Sequence, residues 1–334
     1  MKIEYKNPER KKGIFIWEMD VNFLSRDSNF TFKNATEDEM RENAKKIYGS
    51  DKVFFPALNR PSSFLLWISQ MKDWDSQKVT YSDYSEGKKD YQDKENENLI
   101  GFFDFSKNIL GKKQIRINFT LDEYEVKLNA DNWETKQYDK ASALFRRYTK
   151  SERQLGQTDN ILKVAKEITV NGSSHFAKAK MIYNWICENI DYKESESKRG
   201  AIRVFESKNG NAAEISFLCI TLMRSVEIPA RLVVGAWGEI EKKQDFHFWM
   251  EFYLQDVGWI PVDCGKKMFG ETDSKRIIFS KGENVLLERG PEQSEIFGIN
   301  YRRVFFMQPE AVYLNKEEDG IFAVKQNKYL LIKG

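Results

Sequence analysis

Alternation dominates the first third of the chain. From Gly13 to Phe23 the side chains Phe15, Trp17, Met19, Val21 and Phe23 share one side of a two-residue repeat, as in a strand buried on one face. Val53-Phe-Phe55, Ser63-Phe-Leu-Leu-Trp-Ile-Ser69 and Leu99-Ile-Gly-Phe-Phe-Asp-Phe105 read as further strands. Between Asp73 and Asn98 the chain is polar and charged, and is expected to form long hairpin arms or a mobile loop. Gln114 to Leu128 alternates strongly, first with Ile115, Ile117, Phe119 and Leu121, then with Tyr124, Val126 and Leu128. The phase flips near Asp122-Glu123, which predicts a bulge or bend there. Several strands and no long helix make this N-terminal part a β-sandwich by expectation.

After a polar stretch from Asn129 to Arg153 the period lengthens. Thr158 or Asp159 can cap a helix that carries Ile161, Val164, Ala165 and Ile168 on one face. Ser173 or Ser174 starts a second, with Ala177, Met181, Ile182, Trp185 and Ile186 buried. A polar loop containing Gly210 leads into a third, whose apolar stripe is Ile215, Leu218, Cys219, Leu222 and Val226. Glu227-Ile-Pro229 stops it, because proline disfavours helical geometry in the residue before it. Three strands follow, Ala230 to Trp237, Phe246 to Leu254, and Trp259 to Asp263. In the middle strand His247, Trp249, Glu251 and Tyr253 point away from the face of Phe248, Met250 and Phe252. The chain therefore divides into a β-rich domain over residues 1–150 and a second domain over 151–334 that includes the C-terminal strands, an α+β protein overall.

Composition narrows the chemistry. The 53 basic and 51 acidic residues leave a net charge of +2, which argues against nucleic acid or an anionic membrane as the main partner. No apolar run approaches the length of a membrane span, and the N-terminus has no apolar signal core. The chain as written reads as cytoplasmic, or as periplasmic or extracellular if an export signal was trimmed. Cys187, Cys219 and Cys264 form no CxxC pair, and no cluster of His, Cys and carboxylates has metal-ligand spacing, so neither metal nor cofactor is expected. Cys187 and Cys219 lie in helical patterns and are expected as small buried hydrophobes. Only His175 and His247 are available for imidazole chemistry.

A loop running into a helix N-terminus suits an anionic nucleophile, because free N–H groups and the helix dipole favour negative charge there. A cysteine at such a place is partly thiolate at neutral pH. Ala212 occupies it here. A hairpin at Gln255-Asp-Val-Gly258 would set two strands antiparallel and bring His247 to Asp263, the base and the orienting carboxylate of a thiol triad. A structural histidine–aspartate pair is the competing reading of the same spacing.

Four phrases, Lys208-Asn-Gly-Asn-Ala-Ala-Glu214, Leu222-Met-Arg-Ser-Val-Glu-Ile-Pro-Ala-Arg231, His247-Phe-Trp-Met-Glu251 and Gly258-Trp-Ile-Pro-Val-Asp263, resemble the transglutaminase-like superfamily, a branch of the papain-like thiol enzymes. The resemblance covers about residues 155–290. The segment from Leu66-Trp67 to Gln77-Lys-Val79 also looks like the β-domain that precedes this core in bacterial members. It implies a core of helices packed on an antiparallel sheet, with the catalytic histidine at His247, the aspartate at Asp263 and the nucleophilic cysteine at Ala212. A methyl group cannot attack a carbonyl, so the chain as written is expected to be inactive, either as a Cys→Ala variant or as a natural pseudoenzyme. The substrates implied are amides of a peptide or protein, resolved by water in a protease or amidase and by an amine in a transglutaminase. Trp249 and Trp259 share faces with His247 and Asp263, where they either line a peptide groove or pack between domains. The N–H of Ala212 is the candidate oxyanion donor. A non-catalytic module that binds a peptide or protein in the vestigial groove is the alternative.

Overall fold

The computed structural model describes residues 1–25, 57–84, 89–129, 136–193, 200–237, 246–288, 295–296, 299–300, 303–305 and 310–333. The strand expected at Val53–Phe55 lies outside these residues. The N-terminal part supplies β1 (Lys2–Ser25), β2 (Ala57–Ser69), β3 (Gln77–Tyr84), β4 (Lys89–Gln92), β5 (Leu99–Asp104) and β6 (Gly111–Asn129). All six join one eight-stranded sheet. The polar stretch after Asp73 thus contributes two strands, β3 against β6 and β4 against β5. Along β6, Ile115, Ile117, Phe119, Leu121 and then Glu123 are buried, and the phase shifts only beyond Glu123. The irregularity sits on the partner strand: β1 slips between Lys6 and Glu9, opposite Glu125 and Glu123, and Asn7 has φ 48°.

Five helices follow among the described residues, α1 (Ala143–Thr149), α2 (Asp159–Ile168), α3 (His175–Asn189), α4 (Ala201–Ser207) and α5 (Ala212–Ser225). Thr158 Oγ1 accepts the Ile161 N–H at 3.3 Å and Ser174 Oγ the Ala177 N–H at 3.2 Å, so both caps fall where the sequence put them. Two-residue strands, β7 (Asp191–Tyr192) and β8 (Asn209–Gly210), pair in parallel just ahead of α5. Every residue of α5 from Glu214 to Arg224 is buried, where a single stripe was expected. The reason is its position: α2, α3 and α4 pack on one side and the second sheet on the other.

That sheet contains β9 (Ala230–Trp237), β10 (Phe246–Leu254), β11 (Gly258–Asp263), β12 (Met268–Phe269) and β14 (Arg276–Lys281), in the order β12-β11-β10-β9-β14. A bridging pair, β13 (Glu271–Thr272), crosses to β6 instead. The expected hairpin is present, with Leu254 opposite Gly258 and Met250 opposite Val262. Asp256 and Gly258 take positive φ in its turn. The C-terminal strand (Glu310–Lys333) returns to the first sheet, between β1 and β2, and not to the sheet of the α+β core. One face of the core sheet covers α5 through Leu232, Val234, Met250 and Phe252. Ala236, Ile277 and Phe279 instead join Phe15, Phe64 and Phe119 in a cluster shared with the eight-stranded sheet. Among the described residues no helix is long and apolar enough to cross a membrane.

Candidate active site

Ala212 is the first residue of α5, and a capping box defines its surroundings. Asn211 Oδ1 accepts the Glu214 N–H at 3.1 Å, and Glu214 Oε2 accepts the Asn211 N–H at 3.2 Å. The N–H groups of Ala212 and Ala213 are the first-turn donors this box does not use. Gly210 precedes the cap because a Cβ there would lie 3.1 Å from the Cβ of Glu214 and 3.2 Å from Val204. Helix α5 packs on β10, the strand that carries His247.

His247 and Asp263 come together. Nε2 of the imidazole is 2.6 Å from Oδ2 of the carboxylate, and their side chains are 13% and 2% exposed. Burial alone would raise the Asp263 pKa. The hydrogen bond and charge of His247, with the charge of Arg276, outweigh that and hold it below the ordinary carboxylate range. An ionised carboxylate only accepts, so the proton between the two sits on Nε2 and leaves Nδ1 as the basic nitrogen. Arg276 Nη1 donates to the same Oδ2 at 2.6 Å, and the Lys266 N–H donates to Oδ1 at 3.0 Å. The ring of His247 stands edge-on to Trp237 at 5.9 Å and lies over Trp249 at 6.0 Å with 22° between the planes.

The loop before α5 and the turn after β11 are neighbours. A Cβ on Gly265 would meet Asp263 Oδ1 at 3.4 Å and the ring of Tyr192 at 3.8 Å, and Tyr192 pairs with Gly210. The second link is sulfur. Cys264 Sγ lies 3.8 Å from Cys219 Sγ, and Cys187 Sγ approaches the Cys264 carbonyl at 4.0 Å. For the Cys264 thiol, the contact with Cys187 lowers the pKa, but the contact with Cys219 and burial raise it well above the usual value. The Cys187 thiol is raised too, by its contact with Cys264 and then by burial. Cys219 is fully buried. None of the three is the accessible thiolate that nucleophilic attack needs. Cys219 also lies seven residues beyond Ala212, roughly 10 Å along the helix.

Of the two tryptophans expected either to line a groove or to pack between domains, Trp249 lies against the His247 ring and Trp259 lies at the opposite end of its strand. Trp249 is 2% exposed beneath His247 and offers a substrate almost no surface. Trp259 begins the other end of β11, paired opposite Tyr253, with the Arg231 guanidinium 3.9 Å over its ring. Glu251 and Arg231, both within the phrases that carry the family resemblance, face one another across β10 and β9. Arg231 Nη2 and Nε both donate to Glu251 Oε2, at 2.9 and 3.0 Å, and Lys281 Nζ donates to Oε1 at 2.6 Å, which ties three strands of the sheet together. His175 starts α3 with its ring 4.4 Å from that of Tyr138. The sequence reading missed Arg276 and Trp237. Arg276 begins a run, Ile277-Ile-Phe279, whose strand character is hidden by the charges at its ends. Among the described residues no group of three or more His, Cys, Asp or Glu side chains is arranged to hold a metal.

The profile of the Transglutaminase-like superfamily matches residues 162–264, a span that runs from α2 to just past Asp263. An uncharacterized protein of Haemophilus influenzae is 24% identical over 190 residues, 48% of this chain and 52% of its own, so the match spans about half the length of that curated relative. Among solved structures, the "Putative Cysteine Protease from Cytophaga hutchinsonii" superposes with a TM-score of 0.60 at 12% identity. It covers 99% of this chain and 100% of the other, and shares its fold. The periplasmic domain of TgpA from Pseudomonas aeruginosa, 13% identical over 64% of this chain and 68% of that one, reaches only 0.37, too slight a likeness to carry weight.

Proposed function

We propose, from the match of residues 162–264 to the transglutaminase-like superfamily, that this chain is built for thiol acyl transfer or hydrolysis at peptide or protein amides. Ala212, His247 and Asp263 stand at the nucleophile, base and orienting positions. The observation that carries this reading is the 2.6 Å contact of His247 Nε2 with Asp263 Oδ2, which leaves Nδ1 as the nitrogen to take a thiol proton. A cysteine at position 212 would attack the amide carbon. His247 would then protonate the leaving amine, and water or a second amine would resolve the thioester. The N–H of residue 212, at the positive end of α5, would stabilise the oxyanion.

The chain as written lacks the nucleophile and is inactive in this reading. A Cys→Ala variant and a natural pseudoenzyme both account for Ala212, and the codon in the unaltered gene decides between them. The methyl group itself favours a second reading, a module that holds a peptide or protein in the same groove without cleaving it. Ala212→Cys treated with iodoacetamide separates them. A recently disabled enzyme gives labelling at pH 7 about tenfold or more faster than an ordinary thiol, lost with His247→Ala. Slow labelling indifferent to His247 removes the thiol-enzyme reading and leaves the binding module.

A further inference from the structure

Asp263 has three donors, two of them on one oxygen. Oδ2 receives His247 Nε2 and Arg276 Nη1, each at 2.6 Å, and Oδ1 receives the main chain of Lys266. Arg276 is 3% exposed and closely held. Its guanidinium stands 4.8 Å over Trp237 and 5.2 Å over Trp249, and Nη2 lies 3.0 Å from Met268 Sδ. The same two rings flank His247, so arginine and imidazole share one aromatic setting and one carboxylate oxygen.

The strand that brings Arg276 here is itself fixed from outside the α+β core. β14 is the edge of its sheet, and two amide side chains from the N-terminal part cover that edge. Gln77 Oε1 accepts the Ile278 N–H at 2.8 Å while its Nε2 donates to the Ile278 carbonyl at 3.2 Å. Asn98 does the same for Lys281, at 2.8 Å in each direction. A buried amide that meets both backbone groups of one residue acts as a strand partner.

We propose that Arg276 is a positioning residue of this site, fixing the Asp263 carboxylate and through it the ring of His247, with the N-terminal sheet holding Arg276 in register. The inference rests on the reading of His247 and Asp263 as base and orienting group. Its chemical consequence is specific. An aspartate alone beside an imidazole favours the imidazolium. Arg276 on the same oxygen helps keep the carboxylate ionised and offsets part of its pull on the ring. Among the described residues, Asp263 from β11 and Arg276 from β14 meet beside the ring, and Lys266 from the turn places its Nζ 4.9 Å over Trp237, the ring edge-on to His247.

The test needs no nucleophile and so separates this inference from the thiol reading. The chain has two histidines, and His175→Gln assigns their ring signals in an NMR titration of the Ala212 protein. In Arg276→Met the midpoint of His247 should rise by about one pH unit, tenfold in proton affinity, and Arg276→Lys should restore more than half of that. A folded Arg276→Met protein whose His247 midpoint stays within about 0.2 of the parent overturns the proposal. Should that variant not fold, the unaltered chain gives the answer: slow exchange of the Arg276 guanidinium protons supports the proposal, and exchange as fast as that of an exposed arginine overturns it. Unreactive Ala212→Cys with a shifted His247 leaves Arg276 in its role and removes only the acyl-transfer reading. Reactive Ala212→Cys with an unmoved His247 does the reverse.

Discussion

Glu123 is the residue where polarity and position disagree most. It extends the buried phase of Ile115 to Leu121, is 1% exposed, and its Oε1 has no hydrogen-bond partner among the described residues. Burial pushes its pKa well above the ordinary value. Lys11 and Lys281 pull the other way without offsetting it, and Asp273 and Glu9 add to the rise. The sign follows from proton binding. A raised folded-state pKa means that the native chain holds the proton more tightly, so this contribution is intact below the unfolded pKa, about 4.3, and is lost as pH rises through the folded value. Glu123→Gln should therefore gain stability relative to the parent as pH climbs from 5 to 8, by about 1 kcal/mol or more, measured by urea denaturation. A difference that is flat with pH would refute it. Asp263 and Glu251 have the opposite sign. Their depressed pKa values make stability that is present above about pH 4 and lost in acid as each passes through its folded value. Sequence marked Glu123 only as the place where alternation breaks, because nothing local distinguishes a buried carboxyl from a solvated one.

Elements differ in how far their own residues reveal them. α2 and α3 were legible from apolar spacing and caps, because Thr158 and Ser174 act on N–H groups three residues away, and α5 was legible from its apolar spacing; its cap, Asn211, was not anticipated. The β10–β11 hairpin was legible too, since a four-residue turn fixes its register and so brings His247 towards Asp263. The seven-residue helices α1 and α4 were not, having too few turns for a period to emerge. Strand β14 escaped for a different reason. Arg276 and Lys281 are buried only because Asp263 and Glu251, each distant in sequence, neutralise them. Its edge depends on residues equally distant, which makes Asn98 a sensitive position. Asn98→Ala would leave the N–H and carbonyl of Lys281 buried without these partners. It should lower stability by about 2–4 kcal/mol at neutral pH, against less than about 0.5 for exposed Lys94→Ala. Equal midpoints in guanidinium chloride would show that water seals the edge just as well.

At the scale of the whole molecule the question is whether the chain folds as one unit or two. Composition and period divide it near residue 150, but the contacts cross that line. The C-terminal strand lies between β1 and β2, so the first sheet is assembled from both ends of the chain. Ile277 and Phe279, with half-buried Phe246, pack from the core side into the cluster of Phe15, Phe64 and Phe119. Burial of each such side chain contributes about 1.5–3 kcal/mol. Uncovering the two fully buried side chains and the half-buried phenylalanine together would cost roughly 4–8 kcal/mol, before the Gln77 and Asn98 edge contacts are counted. That is comparable to the entire stability of an ordinary domain, about 5–15 kcal/mol. We therefore expect one cooperative transition for the full chain in calorimetry, with calorimetric and van't Hoff enthalpies equal. A fragment of residues 136–305, which keeps α1 to β14 and loses the first sheet, should melt without a sharp transition or aggregate. Fragment behaviour also bears on the chemistry. If the fragment folds cooperatively and its His247 titrates as in the full chain, the first sheet is an appendage, and the contacts of Gln77 and Asn98 with β14 do not reach the histidine. If it loses its transition, the sheet is part of the scaffold that holds Arg276, Asp263 and His247 in line.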